Sequence, residues 1–116
     1  MRALLLTASL SLSVALGCSS PAPYSGCDGD NLCSGDAPLC LAVGSGTRAA
    51  RFCTVRCTTP AATSSECPNS GACVRLNGAG PYCMQRCTAA TECTFTNGTC
   101  ATTPDSMGQR VCTLAP

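Results

Sequence analysis

The sequence predicts a small disulfide-rich fold, irregular apart from short β-hairpins, with little helix and three tandem four-cysteine modules. Three observations carry that expectation. The chain holds 13 cysteines in 116 residues. From Cys18 to Pro116 it offers five Leu, four Val, two Phe and no Ile, 11 residues of 99. The cysteines after Cys18 fall into sets of four whose first members recur at 27, 57 and 87, a period of 30 residues. Below roughly 20% of such apolar residues, burial seldom offsets conformational entropy. Cross-links supply the missing constraint in small exported domains, and a disulfide closing ~15 residues contributes roughly 3 kcal/mol.

Residues 1–17 have the layout of a secretory signal peptide: Arg2, then an uncharged run of Leu, Ala, Ser, Thr and Val through Leu16. The run is short of the ~20 apolar residues that span a bilayer, and it stops at Gly17-Cys18. The segment Val14-Ala15-Leu16-Gly17-Cys18 resembles the lipobox of bacterial lipoproteins, although Leu is commoner in that family at the place of Ala15. The resemblance implies that the Cys18 thiol receives diacylglycerol, that the signal is cut before it, and that the new amino terminus is acylated. Ala15 and Gly17 also suit ordinary signal cleavage. Parity favours lipidation: setting Cys18 aside leaves twelve cysteines, an even number, whereas an unlipidated chain strands one thiol. Residues 18–26, with Pro21 and Pro23, then read as an acylated tether holding the protein on a membrane. Ser19 after the lipidated cysteine is what the lipoprotein resemblance associates with outer-membrane delivery, so the expected location is the cell envelope, lipid-anchored.

Repeat 1, residues 27–56, contains Cys27, Cys33, Cys40 and Cys53. Repeat 2, residues 57–86, contains Cys57, Cys67, Cys73 and Cys83. Repeat 3, residues 87–116, contains Cys87, Cys93, Cys100 and Cys112. The residue before each fourth cysteine is apolar, namely Phe52, Tyr82 and Val111. Between the second and third cysteines stand Ser34-Gly35-Asp36, Pro68-Asn69-Ser70-Gly71 and Thr96-Asn97-Gly98, all turn chemistry. A hairpin is expected between the third and fourth cysteines of each repeat. Its tips are Gly44-Ser45-Gly46, Asn77-Gly78-Ala79-Gly80 and Asp105-Ser106-Met107-Gly108. Four cysteines allow three pairings. First with third and second with fourth is preferred, because crossed loops tie both ends of a coreless unit together. The spacing resembles the cysteine-rich repeats of lipoproteins from myxobacteria and related bacteria, and more distantly EGF-type, Dickkopf-type and trypsin-inhibitor-like modules. It carries no functional residue across.

Composition narrows the function. There is no His, and all seven cations are Arg, so the commonest general bases and the commonest zinc ligand are missing. No serine sits in a nucleophile elbow. No catalytic residue, cofactor or metal ligand is therefore assigned, and the chain reads as a non-enzyme. Without Arg2, six Arg balance six acids, which argues against nucleic acid as partner. Cysteines such as Cys53 and Cys57 are separated by three residues, whereas redox pairs use two. Asp28, Asp30, Asn31 and Asp36 lack the alternation of a calcium loop and read as turn formers. Asn97-Gly98-Thr99 matches a glycosylation acceptor but reads as a turn after a bacterial lipobox. What remains is a binding or structural module facing an envelope or extracellular protein. The alternative is a proteinase inhibitor offering Arg48 or Arg51 from Thr47-Arg48-Ala49-Ala50-Arg51, a segment that otherwise reads as one strand of a hairpin.

Overall fold

The computed structural model describes residues 21–114 apart from 45 and 77–79. Each module contributes one antiparallel hairpin. In the first, β1 (Leu39–Val43) pairs with β2 (Ala50–Thr54). In the second, β3 (Ala72–Arg75) pairs with β4 (Pro81–Met84). In the third, β5 (Gly98–Ala101) pairs with β6 (Val111–Leu114). Among the described residues the helical elements are single 3-10 turns, Asp30–Leu32, Gly46–Arg48 and Ala90–Glu92, while Pro68–Ser70 is a turn closed by Gly71 N on Pro68 O that is left-handed at Asn69 and Ser70. The small, irregular, disulfide-rich fold with short hairpins is thus what the chain forms.

Register places the third and fourth cysteines of every module directly opposite each other: Cys40 with Cys53, Cys73 with Cys83, Cys100 with Cys112. Neither bonds the other. The six disulfides are Cys27–Cys40, Cys33–Cys53, Cys57–Cys73, Cys67–Cys83, Cys87–Cys100 and Cys93–Cys112. First joins third and second joins fourth each time, so both strands of each hairpin are tied to the loop that precedes them.

The expected turns are found where the chain must reverse. Gly35, Asn69, Ser70 and Asn97, between second and third cysteines, all have positive φ. Asn and Gly adopt that region readily, which is why these types stand there. Of the hairpin tips, Ser45 and residues 77–79 lie outside the described residues. In the third tip Ser106 is fully buried, and its hydroxyl both donates to Thr103 O and accepts from Thr103 N, at 2.9 Å each. The return strand of the first hairpin starts later than expected. Gly46–Arg48 forms a 3-10 turn closed by Ala49 N on Gly46 O, and β2 begins only at Ala50.

The modules join without a linker. In each, the amide of the first cysteine donates to the carbonyl two residues before the fourth, and the amide of the fourth donates to the carbonyl two residues before the first. The pairs are Cys27 N to Arg51 O and Cys53 N to Ser25 O, Cys57 N to Pro81 O and Cys83 N to Val55 O, and Cys87 N to Arg110 O and Cys112 N to Gln85 O, all 2.8–3.2 Å. The residue before each first cysteine therefore edges its own module as a third short strand: Gly26 beside Phe52, Arg56 beside Tyr82, Arg86 beside Val111. Since β2 runs straight into Arg56, the last strand of one module becomes the edge of the next.

The few apolar side chains are pooled. Ala50 and Phe52 from module 1, Ala72, Val74 and Met84 from module 2, and Phe95 and Val111 from module 3 form one buried cluster. Phe52 and Phe95 stack with ring centroids 4.8 Å apart and planes 19° from parallel. Asn97 Nδ2 also reaches Thr47 O at 3.3 Å, so the first and third modules touch directly. Each large side chain so buried contributes about 1.5–3 kcal/mol. Three modules sharing one core achieve what no single 30-residue repeat can.

Candidate functional site

Chemistry-bearing groups concentrate in the disulfide clusters. Within each module the Sγ atoms of the first, second and fourth cysteines lie within 4.8 Å of one another: Cys27, Cys33 and Cys53; Cys57, Cys67 and Cys83; Cys87, Cys93 and Cys112. As thiolates such groups would suit a soft metal ion. Here every one of these sulfurs is in a disulfide, which has no thiolate to donate. The clusters are buried or nearly so, with Cys53, Cys73, Cys83 and Cys112 at 1% exposure or less. Their arrangement is that of a staple.

One residue outside the repeats is built into all three of them. Tyr24, only 1% exposed, packs against Cys57, Cys67, Cys73 and Cys83 of module 2. Its amide donates to Cys53 O of module 1 at 2.8 Å, and its hydroxyl donates to Pro68 O of module 2 at 2.7 Å. Its carbonyl receives Thr94 Oγ1 of module 3, a long contact at 3.5 Å. Burial pushes the Tyr24 phenol up to about 12. The backbone is shaped to admit the ring. Ser25 N donates to Ala22 O at 3.2 Å, a turn with Pro23 second and Tyr24 third at φ 68°. Proline suits that second position, while a non-glycine at the third is unusual and strained. On the receiving side Asn69 and Ser70 both take positive φ, bringing Pro68 O and Gly71 under the phenol. A Cβ on Gly71 would collide with Tyr24 Oη and lie 2.8 Å from Met84 O. Residues 21–26, expected as part of a tether, are thus partly folded into the body.

Tyr24 has the same phase as Thr54 and Met84, each three residues before a first cysteine, and all three are buried. Thr54 Oγ1 donates to Cys83 O at 2.5 Å, much as the Tyr24 amide serves Cys53 O. The repeat was present in the sequence, but Tyr, Thr and Met share no chemistry that announces it. A second overlooked pattern pairs the residue after a first cysteine with the one before the second. The Glu66 carboxylate accepts from Thr58 N and Thr58 Oγ1, and the Glu92 carboxylate from Thr88 N, Ala89 N and Thr88 Oγ1. The Thr58 and Thr88 amides, respectively, are the largest cause holding each carboxyl below its ordinary range. Module 1 has Asp28 and Leu32 at these places and leaves Leu32 exposed.

The arginines are also engaged. Arg51 donates to Asp28 O at 3.0 Å, Arg110 to Thr88 O and Cys100 O at 2.7 and 3.0 Å, and Arg56 lies 5.3 Å above the Tyr82 ring. Arg51 stands within β2, and Arg48 falls on the 3-10 turn before it. Asp28, Asn31 and Asp36 are exposed, as turn formers would be, and Asn97 is exposed at its turn. Cys18 lies outside the described residues. No helix among the described residues is long and apolar enough to cross a membrane. Six disulfides mark a chain matured in an oxidising compartment, as exported proteins are. Compared with known proteins, the chain matches no family model, no curated protein and no solved structure.

Proposed function

We propose that this chain is an exported lipoprotein of the bacterial envelope, acylated on Cys18, whose folded body is a non-catalytic binding or structural module for a protein partner. The observation that carries the reading is parity. The twelve cysteines from Cys27 to Cys112 pair completely with one another, which leaves Cys18 as the odd one of thirteen. In an oxidising compartment a lone thiol beside a signal-like segment has a ready role as an acyl acceptor. A non-catalytic body is supported by the side chains themselves. Glu66 and Glu92 are committed to loop amides, and Arg51 and Arg110 to carbonyls, so each of these charged groups is engaged in holding the fold. An inhibitor offering Arg51 draws no support from a guanidinium bonded to Asp28 O within a strand.

Intact mass with thiol counting tests the reading. Protein from a bacterial envelope should carry acyl mass on a chain beginning at Cys18, with no free thiol. A free thiol, or a mature chain without acyl mass, overturns it. Crosslinking in the envelope then identifies the partner.

A further inference from the structure

We propose that Tyr24 sets a short leash, holding the folded body directly against the lipid headgroups instead of letting it swing on a tether. The inference rests on acylation of Cys18. If the chain became ordered only at Ser25, whose carbonyl accepts from Cys53 N in the first module's edge strand, seven peptide steps would separate it from the anchor, a reach of ~23–25 Å. Instead the fold begins at Ala22, whose carbonyl accepts from Ser25 N and Ser25 Oγ, and is fixed at Tyr24 by bonds to Cys53 O and Pro68 O. From Cys18 to Ala22 there are four steps, a reach of ~13–14 Å. The headgroup layer takes up about 5–7 Å of that on one side of a bilayer. The body therefore stands within ~10 Å of the surface and cannot turn end over end.

The face nearest the lipid is the one from which the chain leaves toward Cys18. Pro21 and Ala22 are exposed there, and the Tyr24 phenol that fixes them bonds Pro68 of a turn whose Asn69 and Ser70 are also exposed. The partner it fits is a lipid surface.

The absence of lysine from the chain gives a clean test. A single Met107→Lys substitution, at a side chain 66% exposed, provides one amine for a fluorescent donor once the N-terminus is acylated. The full acylated protein is placed in phosphatidylethanolamine–phosphatidylglycerol vesicles containing an acceptor-labelled lipid. Tyr24→Ala, verified to keep six disulfides by mass, removes the ring and its bond to Pro68 O and leaves this turn held by one backbone amide; as it frays, up to ~10 Å of chain is released and energy transfer should fall by as much as twofold. Inserting Gly-Ser-Gly-Ser between Ser20 and Pro21 leaves Tyr24 in place and should lower transfer by a similar factor, so the test does not depend on Tyr24→Ala folding. Equal transfer from vesicle-bound wild-type and variant proteins overturns the leash while leaving the lipoprotein reading intact. Protein that carries no acyl mass and leaves the vesicles removes both.

Discussion

Tyr24 illustrates how one side chain can matter more than its place in a pattern suggests. Tyr24→Phe removes the bond to Pro68 O and should cost about 1 kcal/mol in guanidinium unfolding with disulfides intact. Gly71→Ala should cost more, because the new Cβ meets a phenol and the Met84 carbonyl, which is backbone and cannot step aside. Equal stability of the two variants would contradict the packing described. The phenol also carries a pH signature. Its folded-state pKa is raised from 10.0 to about 12, so its stabilising contribution is whole below pH 10 and is lost as pH rises toward 12. The difference in phenolate absorbance between wild type and Tyr24→Phe should rise near pH 12. Thr103 Oγ1 is the opposite case, a buried hydroxyl without a hydrogen-bond partner. Thr103→Val should be neutral or stabilise by up to about 1–2 kcal/mol in the same assay.

At the scale of the element, the hairpins were legible and the loops between first and second cysteines were not. Turn residues at fixed places among the cysteines foretold the reversals at Gly35, Asn69 and Asn97 and the hairpins that follow. Crossed pairing was the preferred one of three that the spacing allowed, and the six disulfides adopt it. Glu66 and Glu92 read as solvated acids, because nothing about a lone carboxylate shows which amides it will hold. In place, they close the loops that begin at Thr58 and Thr88. Their pKa values are depressed in the folded state, so this contribution is present above pH 4.5 and is lost as pH falls through the folded values. Glu66→Gln with Glu92→Gln should flatten the acid limb of a stability–pH curve. An unchanged acid limb would mean that these loops are held by their disulfides alone.

For the whole molecule, composition foretold too little apolar material for a core, and that holds for each repeat taken singly. What spacing did not reveal is that the third module returns to the first. Phe52 and Phe95 are 43 positions apart, Tyr24 and Thr94 70 apart, and neither pair sits at a multiple of the repeat. A period of 30 suggests beads on a string; the shared cluster makes them one cooperative body. Phe95→Ala should therefore cost about 3–5 kcal/mol. It should also lower the unfolding midpoint of all three modules together, seen as a single calorimetric transition at a reduced temperature. Three separate transitions, with only the last displaced, would show that the modules fold independently.

The strand that ends one module and edges the next has a further result, for attack by proteases. A cut at any turn or hairpin tip between the first and fourth cysteines of a module falls inside a loop closed by a disulfide, so the two pieces stay joined. Only the three-residue stretches 54–56 and 84–86 lie between modules with no cross-link spanning them, and there the backbone is paired: Cys83 N holds Val55 O and Cys112 N holds Gln85 O. Exhaustive digestion of the native protein should leave one nicked particle near full mass, falling into fragments only when a reductant is added. The chain has placed its cuttable bonds where cutting does not separate anything.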